Sequence, residues 1–476
     1  ATTDGTIAIG YNALNALTSG DGNTAIGYSA MAANTSGGDN VMIGYNAAVS
    51  ANDAGFDTNV GIGNYVFDGV ASGIDATQNT AVGTTALSGV MTNTADNNTA
   101  VGYHALQNIT SGAQNTVLGS GAGDALTQTN NAVAIGDNAL GAATTQAHNN
   151  VAIGHECMSG NWGAVAAEGC IAIGTNALKG VLSTGSSGTI AIGLNALTVA
   201  AGGPNLAIGH NAGAAITDGA QNMAVGYTAM ATHTTGNYNT VFGYAAMSDT
   251  DAGGNSLGSS SNTFIGRNSG AGDWADVACT NNTCLGQSTL SGALSGALGN
   301  VAIGHAAGNN ITSGDYNVLI GFDAQAGASG AINQTAIGSS CTAVNTDNSI
   351  TLGGAAVTRV HMSQDADAVM YADGTINTSD ERFKKDIEDS DLGLSFINSV
   401  RPVKYKFKSD KQGSKSRYGI VAQEVIEVLK AIDKEDFSGI ETDNPDRLGA
   451  DYVQFIAPMM KAIQELSAKV KALEDA

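Results

Sequence analysis

One phrase repeats along most of the chain, and it limits the fold more than any other feature. "NTAIGYSAM" (23–31), "NTAVGTTAL" (79–87), "NTAVGYHAL" (98–106) and "NMAVGYTAM" (222–230) are variants of it. Its central glycine returns at 10, 27, 44, 63, 83, 102, 119, 136, 154, 174, 193, 209, 226, 243, 266, 286, 304, 321, 338 and 353. That makes 20 copies about 18 residues apart, with single steps from 15 to 23. Counting from this glycine as position 0, apolar residues stand at −1 and −3, as in Ile153 and Val151, which is the period-2 pattern of a half-buried strand. An "AL" or "AM" pair follows, then a turn such as "TSGDGN" or "TTGNYN". One such unit cannot bury its own apolar face, so neighbours must stack. The expected fold is therefore mostly β, a repetitive β-solenoid or β-roll shaft over 1–354. At roughly 4.8 Å per coil, its length is on the order of 95 Å.

Position −4 is Asn in 14 of the 20 copies, including Asn23, Asn79, Asn98, Asn239 and Asn317. Stacked asparagines at a turn can bond to one another and tolerate left-handed backbone. Such slim coils bury little per chain. Association of several chains along the axis, three by preference, is the expected remedy. The uneven spacing departs from the strict 18-residue coil of a hexapeptide β-helix.

Charge divides the chain into two materials. Before position 379 there are only three basic residues, Lys179, Arg267 and Arg359, against 23 acidic ones, a net of −20. The last 98 residues hold 16 basic and 19 acidic groups, a net of −3. An acidic surface of this kind repels phosphate backbones, which excludes nucleic acid as the expected partner. No apolar run is long enough to span a membrane, and no membrane insertion is expected. No signal peptide is visible and residue 1 is Ala, so a processed form or a piece of a longer chain is expected. Five scattered cysteines (157, 170, 279, 284, 341) suit buried thiols better than a disulfide framework or a zinc site, although Cys279 and Cys284 could pair locally.

Candidate binding features in the shaft are few. The residue after each glycine varies and is often large, as in Tyr11, Tyr28, Tyr45, Tyr103, Tyr227 and Tyr244, with His155, His210, His305 and Arg267 in the same place. This implies an exposed or half-exposed stripe. It could stack on surface sugars, or it could be a ladder packing on itself or on neighbouring chains. "HECMSG" (155–160) lacks the second His of a zinc motif, so no metal or cofactor is expected. Trp162 and Trp274 fall in longer inserts, which suits either a binding loop or a cap on the apolar coil ends. Nothing in the shaft indicates an enzyme.

After Ser379 the pattern becomes mixed α/β. "VRPVKYKFK" (400–408) alternates as a strand and "GIVAQEVIEVLKAI" (419–432) is helical. The final helix, expected at 456–474, carries a heptad. Ile456, Ile463 and Val470 hold one seam position, and Met459, Leu466 and Leu473 the other. A heptad at the end of a fibrous chain indicates parallel self-association.

Four stretches here, "SDERFKKDI", "VRPVKY", "YGIVAQEV" and "YVQFIAPMMKAIQEL", resemble in order the intramolecular chaperone domain of phage endosialidases and tail fibres, which also occurs in myelin regulatory factor. The shaft phrase in turn resembles the Ala-Ile-Gly head repeats of trimeric bacterial adhesins and the Gly/Asn-rich repeats of phage tail fibres, with a longer period than the adhesin repeat. The chaperone resemblance implies a domain over 379–476 that trimerises, guides folding of the fibre upstream, and cuts itself off before the serine of Ser-Asp-x-Arg-x-Lys. Those positions here are Ser379, Asp380, Arg382 and Lys384, so the implied cut lies between Thr378 and Ser379.

The residues allow that chemistry. All seven histidines precede position 379 and no cysteine follows it, so a His-based triad inside the domain is impossible. Lysine remains as the base for Ser379, provided burial or a neighbouring cation such as Arg382 or Lys385 lowers its pKa. The stretch also reads as a helix N-terminus, with Ser379 or Asp380 as cap. The expectation is thus a homotrimeric appendage of a virion for host-surface attachment: a shaft over 1–354, a β neck or linker over 355–378, and a chaperone over 379–476. Its expected partners are a cell-surface glycan or protein receptor, and a viral particle or tail component reached through a missing N-terminal region. The alternatives are a secreted or cell-surface bacterial adhesin, or an uncleaved trimeric cap.

Overall fold

The computed structural model describes residues 4–52, 55–142, 147–162, 167–199, 202–249, 258–274, 277–358, 360, 381, 384–408, 415–442 and 448–475. The chain divides into two compact units, Ala1–Asp367 and Ala368–Ala476. The first holds a parallel sheet of twenty three-residue strands, from β1 (Ile7–Ile9) to β20 (Ile350–Leu352). Each strand pairs with the next along the chain, and the phrases align residue for residue: Thr80, Ala81 and Val82 face Thr99, Ala100 and Val101. This is a parallel β-solenoid with one phrase per coil.

Which side of each strand is inside could not be read from the period. In 18 of the 20 strands the middle residue, position −2, is the buried one, and the flanking bulky residues are half-buried or exposed. Ala25, Ala81, Ala100, Ala152 and Ala191 are fully buried, whereas Ile9, Leu118 and Leu285 are 58%, 48% and 49% exposed. Alanine fills the inward position in most coils, while Met42, Val117, Val241, Phe264 and Leu319 fill it, fully buried, in five others.

The strand ends at the repeated glycine for a steric reason. At Gly102 φ is +145°, in the region that favours glycine, and a Cβ there would lie 2.2 Å from the carbonyl oxygen of Gly119 in the next coil. The "AL" pair then turns inward. Leu87, Leu106, Leu140 and Leu178 are buried with φ of +48°, +50°, +55° and +51°. Left-handed leucine costs about 1–2 kcal/mol. The cost is offset by burial and by bonds to the next coil, such as Leu106 N–H to the Ala122 carbonyl (3.0 Å). A lone coil has neither compensation, so coils are stable only when stacked.

A third line of contacts runs inside the turn. The position −4 asparagines are buried and form a ladder. Asn79 Oδ1 accepts both the N–H (2.9 Å) and the Nδ2–H (3.1 Å) of Asn98, whose Nδ2 also donates to the Gly112 carbonyl (2.9 Å). The same pattern runs from Asn262 through Asn282 and Asn300 to Asn317. Where the ladder changes residue the bonding adapts: Cys170 takes its N–H to Asn150 Oδ1 (2.7 Å) and directs its thiol at the Ser186 carbonyl (3.3 Å). Beside it, at position −6, side chains accept a backbone N–H from the preceding coil, as Asp96 does from Thr77 (2.7 Å) and Asp315 from Leu298 (2.9 Å).

The second unit is a small α/β domain. Its elements are α1 (Leu394–Ser399), an antiparallel pair β21 (Val403–Tyr405) and β22 (Arg417–Gly419), α2 (Ala422–Ala431), the pair β23 (Ile440–Glu441) and β24 (Gly449–Ala450), and α3 (Ile456–Glu474). Leu392, Phe396, Val425, Leu429, Ile440 and Phe455 form its core. The expected final helix matches α3 in extent. The expected strand shortens to β21, and α1 had no periodic signal.

Candidate functional site

The residues expected to cut the chain are only partly visible. Thr378, Ser379, Asp380 and Arg382 lie outside the described residues, as does most of the expected neck over 355–378. Lys384 is described. It is exposed, and its N–H donates to the Glu381 carbonyl (3.0 Å). Of the two conditions that would turn it into a base, burial is therefore not met within the single chain. Two other cations of this unit are engaged elsewhere. Lys434 pairs with Asp391, whose hydrogen bond holds the ammonium above its ordinary pKa, while Asp391 is held below the usual carboxylate range. Arg401 forks onto Glu424 through Nε (2.9 Å) and Nη2 and holds that carboxyl low in the same way. Both pairs tie the segments around α1 to α2 and the turn after it.

The geometry of α3 is more informative. Pro458 and Ala462 are buried, and Glu465 Oε2 accepts the Leu394 N–H (2.9 Å) at the start of α1. With that side on the domain, the heptad seam faces away. Ile456, Met459, Ile463, Leu466, Val470 and Leu473 are between 43% and 78% exposed. At the foot of the seam a cavity of about 300 Å3 is lined by Ile397, Val400, Pro402, Ile420, Tyr452, Phe455 and Met459. A three-heptad helix with an uncovered seam is unstable by itself in water.

Residues 379–434 match the family described as chaperone of endosialidase. The first three of the four stretches singled out above fall inside that match, and the fourth, which leads into α3, follows it. No curated protein and no solved structure matches the chain. A chaperone segment behind a long β-solenoid shaft fits a tail fibre or tailspike, and the family points to a trimerising domain.

In the shaft, the six tyrosines expected to form a stripe stand in one outward column and are between 42% and 67% exposed. They stack on one another. Tyr11, Tyr28 and Tyr45 follow at 5.2 Å between ring centroids, and His210, Tyr227 and Tyr244 at 5.1 Å, with Arg267 above Tyr244 at 5.8 Å. Tyr103 instead lies against His104 at 3.7 Å. Tyr28, Tyr227 and Tyr244 thus have a partner on each ring face and offer edges and hydroxyls outward. The other described shaft cation, Lys179, is bonded to Glu156. No group of His, Cys, Asp and Glu suited to hold a metal occurs among the described residues.

Trp162 and Trp274 lie inside the coils rather than on loops. Both are buried, and Trp274 packs against Phe264 at 5.7 Å. All five cysteines are free and buried, with burial pushing the Cys157 thiol up to about 12 and Cys279 to about 11. No helix among the described residues is long and apolar enough to cross a membrane.

Proposed function

We propose that the chain is one subunit of a homotrimeric virion fibre for host-surface attachment, with a C-terminal unit that sets the three chains in register and then cuts itself off between Thr378 and Ser379. The observation that carries this reading is the exposed heptad seam of α3, attached to a segment that matches a chaperone family. The shaft supplies the need for a template. Every phrase resembles the next, so a slip by one coil preserves most contacts, and a lone coil carries strained left-handed residues without its inter-coil bonds.

In the cleavage step Ser379 Oγ attacks the Thr378 carbonyl while Lys384 takes the hydroxyl proton. The amine of Ser379 leaves with a proton, and water then hydrolyses the ester. Lys384 is exposed in one chain, so the water-excluded setting in which it acts comes from packing of the neighbouring copies. That makes cleavage follow assembly. Once the template is gone the shaft cannot unwind by the reverse path, which makes it kinetically stable. Receptor contact by the tyrosine column would use ring edges and hydroxyls, reading a glycan or protein surface by hydrogen bonds.

Intact mass of the freshly expressed protein under denaturing conditions tests the cut. Fragments of 378 and 98 residues from the wild type, but not from Ser379→Ala or Lys384→Ala, are expected. An uncut 476-residue chain in the wild type would remove the peptidase step and leave a permanent trimeric cap.

A further inference from the structure

Position −1, on the outer face of the shaft sheet, is Ile, Val, Leu or Phe in all 20 coils. Position −3, beside it on the same face, is Thr, Val, Ile, Leu or Met in all 20. Not one of these 40 outward residues is charged, in a unit whose net charge before position 379 is −20. Phe242, Leu285 and Leu118 are 55%, 49% and 48% exposed, so no described residue of the chain closes over these positions.

We infer that this outer sheet face, the −1 and −3 columns over their full length, is the surface on which copies of this chain pack along the shaft. The inference rests on the trimeric reading above and names the shaft surface that reading left open. Twenty strands at about 4.8 Å spacing make the face roughly 90 Å long, and two columns with their side chains make it roughly 10 Å wide. That is on the order of 900 Å2 of uncharged face per chain, with Thr at eight of the 20 positions −3, and it is close to the roughly 800 Å2 per partner of stable interfaces.

The length and pitch of the face identify the occupant. An apolar stripe that continues through every coil without a break is matched along its whole length by a surface of the same pitch and length. A second copy of this shaft, parallel and in register, is such a surface. The α3 seam makes the same demand at the other end of the chain, since a parallel heptad pairs with its own copies. The stripe is too uniform to choose its own register, because a shift by one coil replaces Ile with Ile. The irregular positions Phe242 and Met223 and the α3 heptad are what distinguish one register from the next.

Thiol accessibility in the full chain tests this, because the five native cysteines are buried. Leu118→Cys and Leu285→Cys place probes on the face in two halves of the shaft. Val90→Cys and Val181→Cys place controls in turns, at sites 67% and 58% exposed. Each variant is treated with a bulky maleimide under native conditions, and its oligomeric mass is measured by light scattering. Both face probes are expected to react about a hundredfold or more slowly than the controls in a trimer, since an interface core is closed to solvent. A trimer in which face and control probes react equally would overturn the inference and leave the trimeric reading standing. A monomeric mass with all four probes reactive would overturn both.

Discussion

Replacing Asn98 separates the asparagine ladder from generic core packing. Asn98→Ala removes the Nδ2 bonds to Asn79 Oδ1 (3.1 Å) and the Gly112 carbonyl (2.9 Å), and the Oδ1 acceptor for the N–H (3.1 Å) and Nδ2–H (2.9 Å) of Asn115. Asn115 Nδ2 keeps its bond to the Thr129 carbonyl (2.7 Å). Two backbone groups are left without those partners, the Gly112 carbonyl and the Asn115 N–H, each worth about 1–3 kcal/mol when buried, so the loss is about 2–6 kcal/mol per chain. Asn98→Asp keeps the acceptor for Asn115 but puts a carboxylate oxygen against Asn79 Oδ1 and the Gly112 carbonyl, and buries a charge as well. Asp should therefore be worse than Ala at neutral pH and recover partly on acidification, when the protonated oxygen can donate. Urea unfolding followed by far-UV circular dichroism, at pH 7 and at pH 4.5, measures both. Equal stability for Ala and Asp at pH 7, or a cost below about 0.5 kcal/mol for Ala, would refute the ladder as a source of stability; the latter is the range of ordinary surface changes.

Gly102→Ala combines a forbidden φ with a Cβ 2.2 Å from the Gly119 carbonyl oxygen, whereas a Cβ on Gly258 meets nothing within 4 Å. The first should cost more than about 4 kcal/mol or prevent folding, and Gly258→Ala should stay within about 0.5 kcal/mol, both read from the unfolding midpoint. His233 is buried where other coils hold Ile109, Ile216 and Ile311, and burial lowers its pKa from 6.5 to about 4. The folded chain thus favours the neutral ring. Its stability should be full above pH 6.5 and fall as the pH drops towards 4, by about 3 kcal/mol per chain at about 1.4 kcal/mol per unit. His233→Gln should flatten that slope, and melting temperatures across pH 4–7 would show it.

The solenoid was legible because its phrase is repeated twenty times, so a weak signal per coil became a strong one in sum. The bounds of α3 were legible because six heptad residues keep strict spacing. The inward face of the strands was not, since −1, −2 and −3 are all uncharged and mostly apolar, and period 2 does not choose between phases. The phase is set where the chain leaves the strand, at the repeated glycine and the inward AL pair, and both depend on contact with the next coil. The left-handed leucines were invisible for a related reason: local preference opposes them, and only contact with the next coil overrides it. Trp162 and Trp274 suited either a binding loop or a cap, because burial depends on packing that their Gly- and Asp-rich surroundings do not encode. In the C-terminal unit, the seam of α3 is legible residue by residue, but that it faces away from its own domain follows from the burial of Pro458 and Ala462 and the bond from Glu465 to the start of α1.

The central claim is that the C-terminal unit assembles the shaft through the α3 seam. Its most direct test is light scattering on the shaft recovered from the full-length wild type and from the Ile463→Asp, Leu466→Asp double variant. Both residues are at least 50% exposed and outside the domain core, so the unit itself should still fold. A folded trimeric shaft is expected from the wild type and only aggregate or unfolded shaft from the variant. A folded trimeric shaft in equal yield from both would contradict it.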